Sequence, residues 1–347
     1  MMRTTMMAAM AAAVGLGGTA AYAQDKTFEL KFNHALPATY ALVTGGFNVW
    51  AESITKDSNG TIKFTFFPSS QLGATKDAYD ITANNVAEVS WNTPDYQPGR
   101  FPIISLANTP FMMTSGDRGS AAVDDWYRRY AEREMKEVKV LITHVHAPGT
   151  FHFAKPNIKT VEDIKGLKIR SAGGMISRWV SSLGGANVQI PAPESRDAVV
   201  KGLVDGTTLP YGTLIAFKIS QATPYHIDDR FYVTVFNIVM NKSVYESMSP
   251  AQKKVIDAHT TPEWAERIGA AWAKFEEGGR DILKKDKKHV FYELTPEQRK
   301  AWVESAKFLI ADWEKEVTKK YGGAVDAKAA LDDLKATLKK YKTDYQG

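Results

Sequence analysis

The chain has 347 residues, of which 44% are hydrophobic and 24% charged, with a formal net charge of +5 and no cysteine. This balance is typical of a globular protein with room for two domains, and the lack of cysteine excludes disulfides and a lipid anchor on an N-terminal Cys. No arginine-rich run or aromatic RNA-binding motif accompanies the mild positive charge, so no nucleic-acid partner is predicted.

The first 23 residues differ from the rest of the chain. A basic start, MMRTTMM, leads into a short stretch of small apolar residues that ends at Ala21-Tyr22-Ala23. This pattern predicts a secretory signal peptide over residues 1–23, cleaved after Ala23, and therefore a periplasmic protein. No later segment has the roughly 18 consecutive apolar residues that a membrane-spanning helix needs.

The next segment alternates strands and helices. Residues 28–32 and 61–67 alternate apolar and polar side chains as half-buried strands do, and a helical apolar face lies between them at Phe47, Trp50, Ala51 and Ile54. A short helix near 78–82, a strand at 87–91, a helix at 119–135 and a strand at 138–145 continue the alternation.

Residues 148–233 are predicted to form a second α/β unit. A helix start at Thr160–Asp163 ends at Gly166, and strands at 167–170, 188–190 and 206–209 alternate with helices at 174–183 and 193–203. The apolar run 231–240 is suited to a strand that crosses between two lobes.

The last third of the chain is predicted to be helical. Ser249-Pro250 is typical of a helix start, and the segment 295–298, TPEQ, has the spacing of a capping box. One helical face then carries Trp302, Ala306, Leu309 and Trp313, which we expect to anchor the core.

Strands that alternate with helices predict an α/β fold, and such sheets bind ligands at the carboxyl ends of their strands. That rule predicts a ligand-binding rim near residues 33–34, 91–92, 149–151 and 170–171.

Catalytic motifs are scarce, because the sequence has no G-x-S-x-G, P-loop, H-E-x-x-H or G-x-G-x-x-G pattern. His144 and His146 share one face of a predicted strand and His152 follows, so a zinc site is one hypothesis. No carboxylate lies close in sequence to complete the ligand set. A periplasmic metal-dependent hydrolase that uses these histidines is therefore kept as an alternative.

Arg170 lies at the end of a predicted strand in the segment 162–174, EDIKGLKIRSAGG. A guanidinium binds a carboxylate through two parallel hydrogen bonds, which a lysine cannot do. Taken alone, an arginine at a strand end is more often a surface charge than a ligand-binding residue. The small residues after it are expected to keep side chains out of the space that a carboxylate would occupy.

Three motifs occur in a characteristic order: FPSSQLG at 67–73, DIKGLKIR at 163–170 and GLVDG at 202–206. Together they resemble the extracytoplasmic solute-binding proteins of tripartite ATP-independent periplasmic (TRAP) transporters, the DctP-type family, over nearly the whole mature chain. The resemblance implies that Arg170 binds the carboxylate of an organic acid between two α/β lobes.

The resemblance further implies a two-lobed periplasmic binding protein with interlobe strands and a long spanning helix. The expected lobes are 24–147 plus 234–275 and 148–233 plus 276–347. It implies a receptor rather than an enzyme, with no cofactor, that delivers its ligand to membrane permease subunits; a monomer is expected. A receptor for an ATP-driven importer or a sensor kinase remains an alternative.

Two departures from the family pattern bear on the ligand. Thr207-Thr208-Leu209-Pro210 stands where the family often has Gln-Glu-Asn-Pro, and Phe151 stands near the position of a second arginine in the sialic-acid binders. Because apolar surface replaces polar partners, a monocarboxylate with an apolar or aromatic body is predicted. A C4-dicarboxylate or a keto or hydroxy acid is the alternative.

Several further residues fall near the predicted rim. Trp91, Phe151, Tyr211 and Phe236 are candidates for a wall that stacks on the ligand, with ordinary core packing as the alternative. His34 and Asn92 could hydrogen-bond a ligand hydroxyl or carboxylate, with loop capping as the alternative.

Overall fold

The structure, a computed structural model, describes residues 26–346. The predicted signal peptide, residues 1–23, lies outside the described residues. The described chain forms two mixed β-sheets surrounded by helices, which confirms the predicted α/β class. Within residues 26–346, no helix is both long enough and apolar enough to cross a membrane.

The strands are, in chain order, β1 (Phe28–Asn33), β2 (Ile62–Phe67), β3 (Val89–Asn92), β4 (Val138–Val145), β5 (Thr150–Phe153), β6 (Lys168–Ser171), β7 (Ala186–Gln189), β8 (Gly206–Leu209), β9 (Tyr225–Ile227), β10 (Val235–Asn241) and β11 (Val290–Tyr292).

The helices are, in chain order, α1 (Asn48–Asp57), α2 (Ala78–Ala83), α3 (Pro102–Ser105), α4 (Gly116–Tyr127), α5 (Ala131–Glu134), α6 (Gly174–Ser182), α7 (Ser195–Val200), α8 (Tyr211–Ala216), α9 (Lys242–Glu246), α10 (Pro250–Ala258), α11 (Pro262–Lys285), α12 (Pro296–Ala306), α13 (Phe308–Tyr321) and α14 (Ala327–Lys340).

The first sheet has the strand order β2-β1-β3-β10-β4. Strand β1 runs parallel to β2 and β3, whereas β10 runs antiparallel to β3 and β4. Strands β1 and β3 therefore end at the same edge of the sheet, and β10 begins there.

The second sheet has the order β11-β9-β5-β8-β6-β7. Strand β6 is parallel to β7 and β8, and β5 is antiparallel to β8 and β9. The parallel β6 and β8 end at one edge, where the chain continues from Ser171 into Ala172 and from Leu209 into Pro210.

The chain passes between the sheets after β4 and before β10. These two crossing segments pair with each other at Gly149 and Tyr232. Helix α11 joins the two units as well, because it packs on α4 and β4 at one end and on α8 toward the other. Its 24 residues span about 36 Å.

Several sequence predictions about the helices are confirmed. Thr295 and Gln298 form the reciprocal capping box that begins α12. The four residues of the predicted apolar face are buried: Trp302, Ala306, Leu309 and Trp313. That face continues across the junction of α12 and α13.

Other element predictions were wrong in detail. The helix predicted at 119–135 is two helices, α4 and α5, because the chain turns at residues 128–130, where Tyr130 has a φ of −117°. The helix predicted to start at Thr160 is a single 3-10 turn at Glu162–Ile164. The strand predicted at 231–240 begins only at Val235.

Candidate functional site

A cavity lies between the two sheets, next to the strand ends described above. Both sheets, the crossing segments and α11 contribute to its walls. The lining residues include Leu36, Tyr40, Trp91, Thr93, Tyr96, His146, Arg170, Ala172, Leu209, Thr213, Tyr232, Thr234, Phe236 and Trp272.

Arg170 provides the charge in this cavity. Among the described residues of the lining it is the sole lysine or arginine, and none of them is Asp or Glu. The side chain is only 1% exposed, so its charge is held largely out of water. A buried cation without an anionic partner is costly, and an anion bound in the cavity would supply that partner.

Two carbonyl groups hold the guanidinium in place. Nε of Arg170 donates to the carbonyl of Ile190 at 2.8 Å, and Nη1 donates to the carbonyl of Thr208 at 3.3 Å. Within the described residues Nη2 has no hydrogen-bond partner. Arg170 is therefore fixed by two protein contacts while one donor nitrogen stays free for a ligand.

Aromatic rings form the wall contributed by the first sheet. Trp91 and Phe236 are stacked with centroids 4.7 Å apart and planes 12° apart. Trp272 of α11 packs on Phe236 at 5.0 Å. The cavity thus combines one cation with a broad apolar surface, as a site for an anion with an aromatic body requires.

His146 lies beside Arg170 as a neutral side chain. Its Nδ1 donates to the carbonyl of Ala147 at 2.6 Å, and Nε2 accepts from the N–H of Thr234 at 3.0 Å. Burial lowers the pKa of His146 to about 4, and the charge of Arg170 acts in the same direction. His146 therefore fixes the crossing segment at Thr234 and adds no positive charge to the cavity.

The histidines of the zinc hypothesis are engaged in hydrogen bonds. Nε2 of His144 accepts from the indole N–H of Trp91 at 2.9 Å, and burial lowers the pKa of His144 to about 3. His152 is hydrogen-bonded to His226 and to the carbonyl of Leu209. In the described part of the chain, no group of three or more His, Cys, Asp or Glu is placed to hold a metal.

A buried carboxyl group connects the aromatic wall to the second sheet's unit. Glu276 accepts from the indole N–H of Trp272 at 2.7 Å and from the backbone N–H of Thr213 at 2.8 Å. The hydroxyl of Tyr40 is 2.8 Å from that of Thr213. Burial raises the pKa of Glu276 to about 7, while these hydrogen bonds act in the opposite direction.

The structure brings three of the seven predicted site residues to the cavity, namely Arg170, Trp91 and Phe236. His34 is buried among Phe32, Phe47 and Phe66 instead. Asn92 is buried and pairs in register with Asn237, one position along the strand from Trp91. Its side chain therefore projects from the opposite face of the sheet.

Phe151 and Tyr211 are placed outside the cavity lining. Phe151 is fully buried in the core against Trp179 and Trp302, with centroids 5.5 and 5.4 Å away. The side chain of Phe151 lies on the face of β5 that packs against helices α6 and α12, away from the cavity. The ring of Tyr211 packs on His152 and borders a second groove beside Asp228.

Sequence reasoning missed Tyr232, Tyr40 and Trp272 as cavity residues. Tyr232 belongs to the apolar run 231–240, where it looks like a core residue. Burial raises the pKa of Tyr232 well above its usual value, so its hydroxyl remains a donor, while nearby Arg170 acts in the opposite direction. The sequence does contain one signal for Trp272, which is its i, i+4 spacing from Glu276. On a helix, this spacing brings the indole N–H donor of Trp272 next to the carboxylate acceptor of Glu276.

A family model for bacterial extracellular solute-binding proteins of family 7, named DctP, matches residues 32–316. Among solved structures, a TRAP solute-binding protein from Rhodoferax ferrireducens, in complex with copurified benzoate, is 28% identical with a TM-score of 0.85. The match covers 91% of this chain and 99% of that one. This similarity confirms the predicted two-lobed fold.

Two other solved structures are similar at the same level. A marine-metagenome TRAP solute-binding protein specific for aromatic acids, bound to 3-hydroxybenzoate, is 29% identical with a TM-score of 0.84, covering 91% of this chain and 99% of that chain. A TRAP periplasmic solute-binding protein from Bordetella bronchiseptica with bound mandelate is 25% identical with a TM-score of 0.84, covering 90% and 99%.

The family model covers far more than half of the chain, and the first of these structural matches covers 91% of it. The chain belongs to the bacterial extracellular solute-binding proteins of family 7, the DctP family, and its solved relatives are TRAP solute-binding proteins.

Proposed function

We propose that this protein captures an aromatic monocarboxylate, such as a benzoate or mandelate, in the cavity between its sheets. The observation that carries the proposal is the buried guanidinium of Arg170, with Nη2 unpartnered, in a cavity walled by Trp91 and Phe236. The carboxylate would bind to Arg170 and the ring would lie against the aromatic wall.

The charge of the cavity supports one carboxylate rather than two. Arg170 is the sole permanent cation among its described lining residues, and His146 is neutral. A second carboxylate would be buried without a charged partner, at a cost of several kcal/mol. This argument replaces the one based on Phe151, because that side chain does not line the cavity.

The ligands of similar proteins support the same class. The relatives from Rhodoferax ferrireducens, the marine metagenome and Bordetella bronchiseptica contain benzoate, 3-hydroxybenzoate and mandelate, which are all aromatic monocarboxylates. The specificity proposed for this chain rests on its own cavity residues, Arg170, Trp91 and Phe236.

The wider role proposed here is that of a receptor without catalytic activity. The chain is exported through the signal peptide of residues 1–23, binds its ligand as a monomer in the periplasm and delivers it to the membrane subunits of a TRAP transporter.

The proposed lobes are residues 24–147 plus 234–275 and residues 148–233 plus 276–347. Helix α14 of the second lobe extends onto α4 of the first, where Trp126 donates to the carbonyl of Ala330 at 3.0 Å.

A thermal-shift screen tests the ligand class. Benzoate and mandelate are compared with butyrate, pyruvate and succinate at equal concentration, and uncharged benzamide is the matched control for the carboxylate. Benzoate or mandelate is expected to raise the Tm by a few degrees when present at about 100 times its Kd, and benzamide to leave it unchanged. A largest shift with succinate, or an equal shift with benzamide, contradicts the proposal.

A further inference from the structure

The two glycines that follow Arg170 face the first sheet's unit. Gly173 and Gly174 have φ angles of +125° and +54°, values that residues with a Cβ rarely adopt, and Gly174 begins α6. Neither is among the residues that line the cavity, whereas Ala172 is. The small residues after Arg170 therefore have another role besides leaving room for a carboxylate.

Asp95 occupies the space that side chains at these positions would fill. A Cβ on Gly174 would lie 2.5 Å from Oδ1 and 2.6 Å from Oδ2 of Asp95. A Cβ on Gly173 would lie 2.5 Å from the carbonyl oxygen of Asp95. Asp95 is 5% exposed, and burial raises its pKa to about 7, with Arg178 acting in the opposite direction. The carboxyl group is thus enclosed against the glycines.

Asp95 and the glycines come from different sheets. Asp95 lies in the 3-10 turn Pro94–Tyr96, which follows β3 of the first sheet, whereas the glycines follow β6 of the second. Two hydrogen bonds reinforce the contact. Nε2 of Gln189 donates to the carbonyl of Asp95, and the N–H of Ala192 donates to the hydroxyl of Tyr96, both at 3.1 Å.

We propose that the turn Pro94–Tyr96 is a latch that closes onto Gly173–Gly174 and holds the two sheets' units together over the ligand. Asp95 is its positioning residue, because it acts on the ligand only through closure. The contact is contiguous with the cavity, since Tyr96 and Ala192, which are joined by the hydrogen bond above, both line it. The latch rests on the proposed function, because it presupposes a ligand held between the sheets.

A double-mutant cycle tests the latch with benzoate as the ligand. The variants are Gly174→Ala, Asp95→Ala and the two combined, and Gly278→Ala is the matched control, because a Cβ at that helical glycine meets open space. In the closed form the new methyl group collides with Asp95. Gly174→Ala is therefore expected to weaken benzoate binding about tenfold or more. In the Asp95→Ala background the same change is expected to weaken it much less.

Closure is read separately from the distance between two spin labels. The chain has no cysteine, so Lys63→Cys on β2 and Lys201→Cys after α7 label one site near each sheet. Wild type with benzoate is expected to show a short distance, Gly174→Ala to lose it, and the double variant to regain it. The Tm without ligand checks that each variant is folded.

The outcomes separate the latch from the proposed function. Equal weakening by Gly174→Ala in both backgrounds shows that only the positive φ matters, and overturns the latch. If benzoate does not bind to wild type, the proposed ligand is wrong, and the latch is judged on the ligand-free distances. In that case, a short-distance population that is present in wild type, lost in Gly174→Ala and regained in the double variant supports the latch. A wild type without this population, or a Gly174→Ala variant that keeps it, overturns the latch.

Discussion

The indole of Trp91 and the ring of Phe236 stack across strands β3 and β10, with centroids 4.7 Å apart and planes 12° apart. Both rings line the cavity that contains Arg170. A stacked pair presents a flat, rigid surface at little entropic cost, because each side chain has only two rotatable bonds. This wall is what should distinguish an aromatic acid from an aliphatic one.

Phe236→Leu is expected to lower the affinity for benzoate more than the affinity for butyrate. Leucine keeps most of the apolar surface but removes the ring, and an aromatic pair contributes about 1 kcal/mol beyond its buried area. The expected loss is about fivefold for benzoate and less than twofold for butyrate, measured by calorimetric titration. Equal losses for the two acids would show that the wall does not recognise aromaticity.

Phe151→Leu tests the placement of that ring in the core. Phe151 packs between Trp179, Phe231 and Trp302, so its replacement leaves unfilled volume there. We expect the free energy of unfolding to fall by about 1–2 kcal/mol, with the Kd for benzoate unchanged. Chemical denaturation measures the free energy of unfolding, and calorimetric titration measures the Kd for benzoate. A changed ligand preference with unaltered stability would place Phe151 at the ligand after all.

The misplacement of Phe151 shows where sequence reasoning reaches its limit. The predicted rim at 149–151 was near a real strand, β5, but that strand has only four residues. Side chains alternate between the two faces of a strand, so a short apolar segment does not reveal which face meets the cavity. The same ambiguity applies to β3, where Trp91 lines the cavity and its neighbour Asn92 does not.

Arg170 was predictable for two reasons. Its strand has a clear alternation, and the motifs around it carry a family resemblance. The contacts between Tyr40, Thr213 and Glu276 were not predictable, because the residues lie 173 and 236 positions from Tyr40 along the chain. Local patterns say little about such contacts, which depend on how the two units pack together.

His34 is expected to make the protein less stable in acid. Burial lowers its pKa in the folded chain to about 4, whereas an unfolded histidine titrates near 6.5. Between these values the unfolded chain binds a proton that the folded chain does not. The contribution of His34 is therefore fully present above about pH 6.5 and is lost as the pH falls toward 4.

The variant His34→Phe isolates this effect, because the imidazole lies among Phe32, Phe47 and Phe66. From pH 7 to pH 5, its free energy of unfolding is expected to fall by about 2 kcal/mol less than that of wild type. Buried carboxyl groups such as Glu134, whose pKa burial raises to about 7, are common to both proteins and cancel in the comparison. Parallel pH profiles for the two proteins would contradict the prediction.

The central claim is that Arg170 binds the ligand carboxylate, and calorimetric titration of benzoate into wild type, Arg170→Lys and Arg170→Gln tests it most directly. Gln removes the charge and the free Nη2, so binding is expected to weaken about 100-fold or more. Arg170→Lys keeps the charge but cannot make two parallel hydrogen bonds to a carboxylate. Its affinity for benzoate should therefore lie between those of wild type and Arg170→Gln. The Tm without ligand confirms that each variant is folded. A folded Arg170→Gln that binds benzoate with the wild-type Kd would contradict the account.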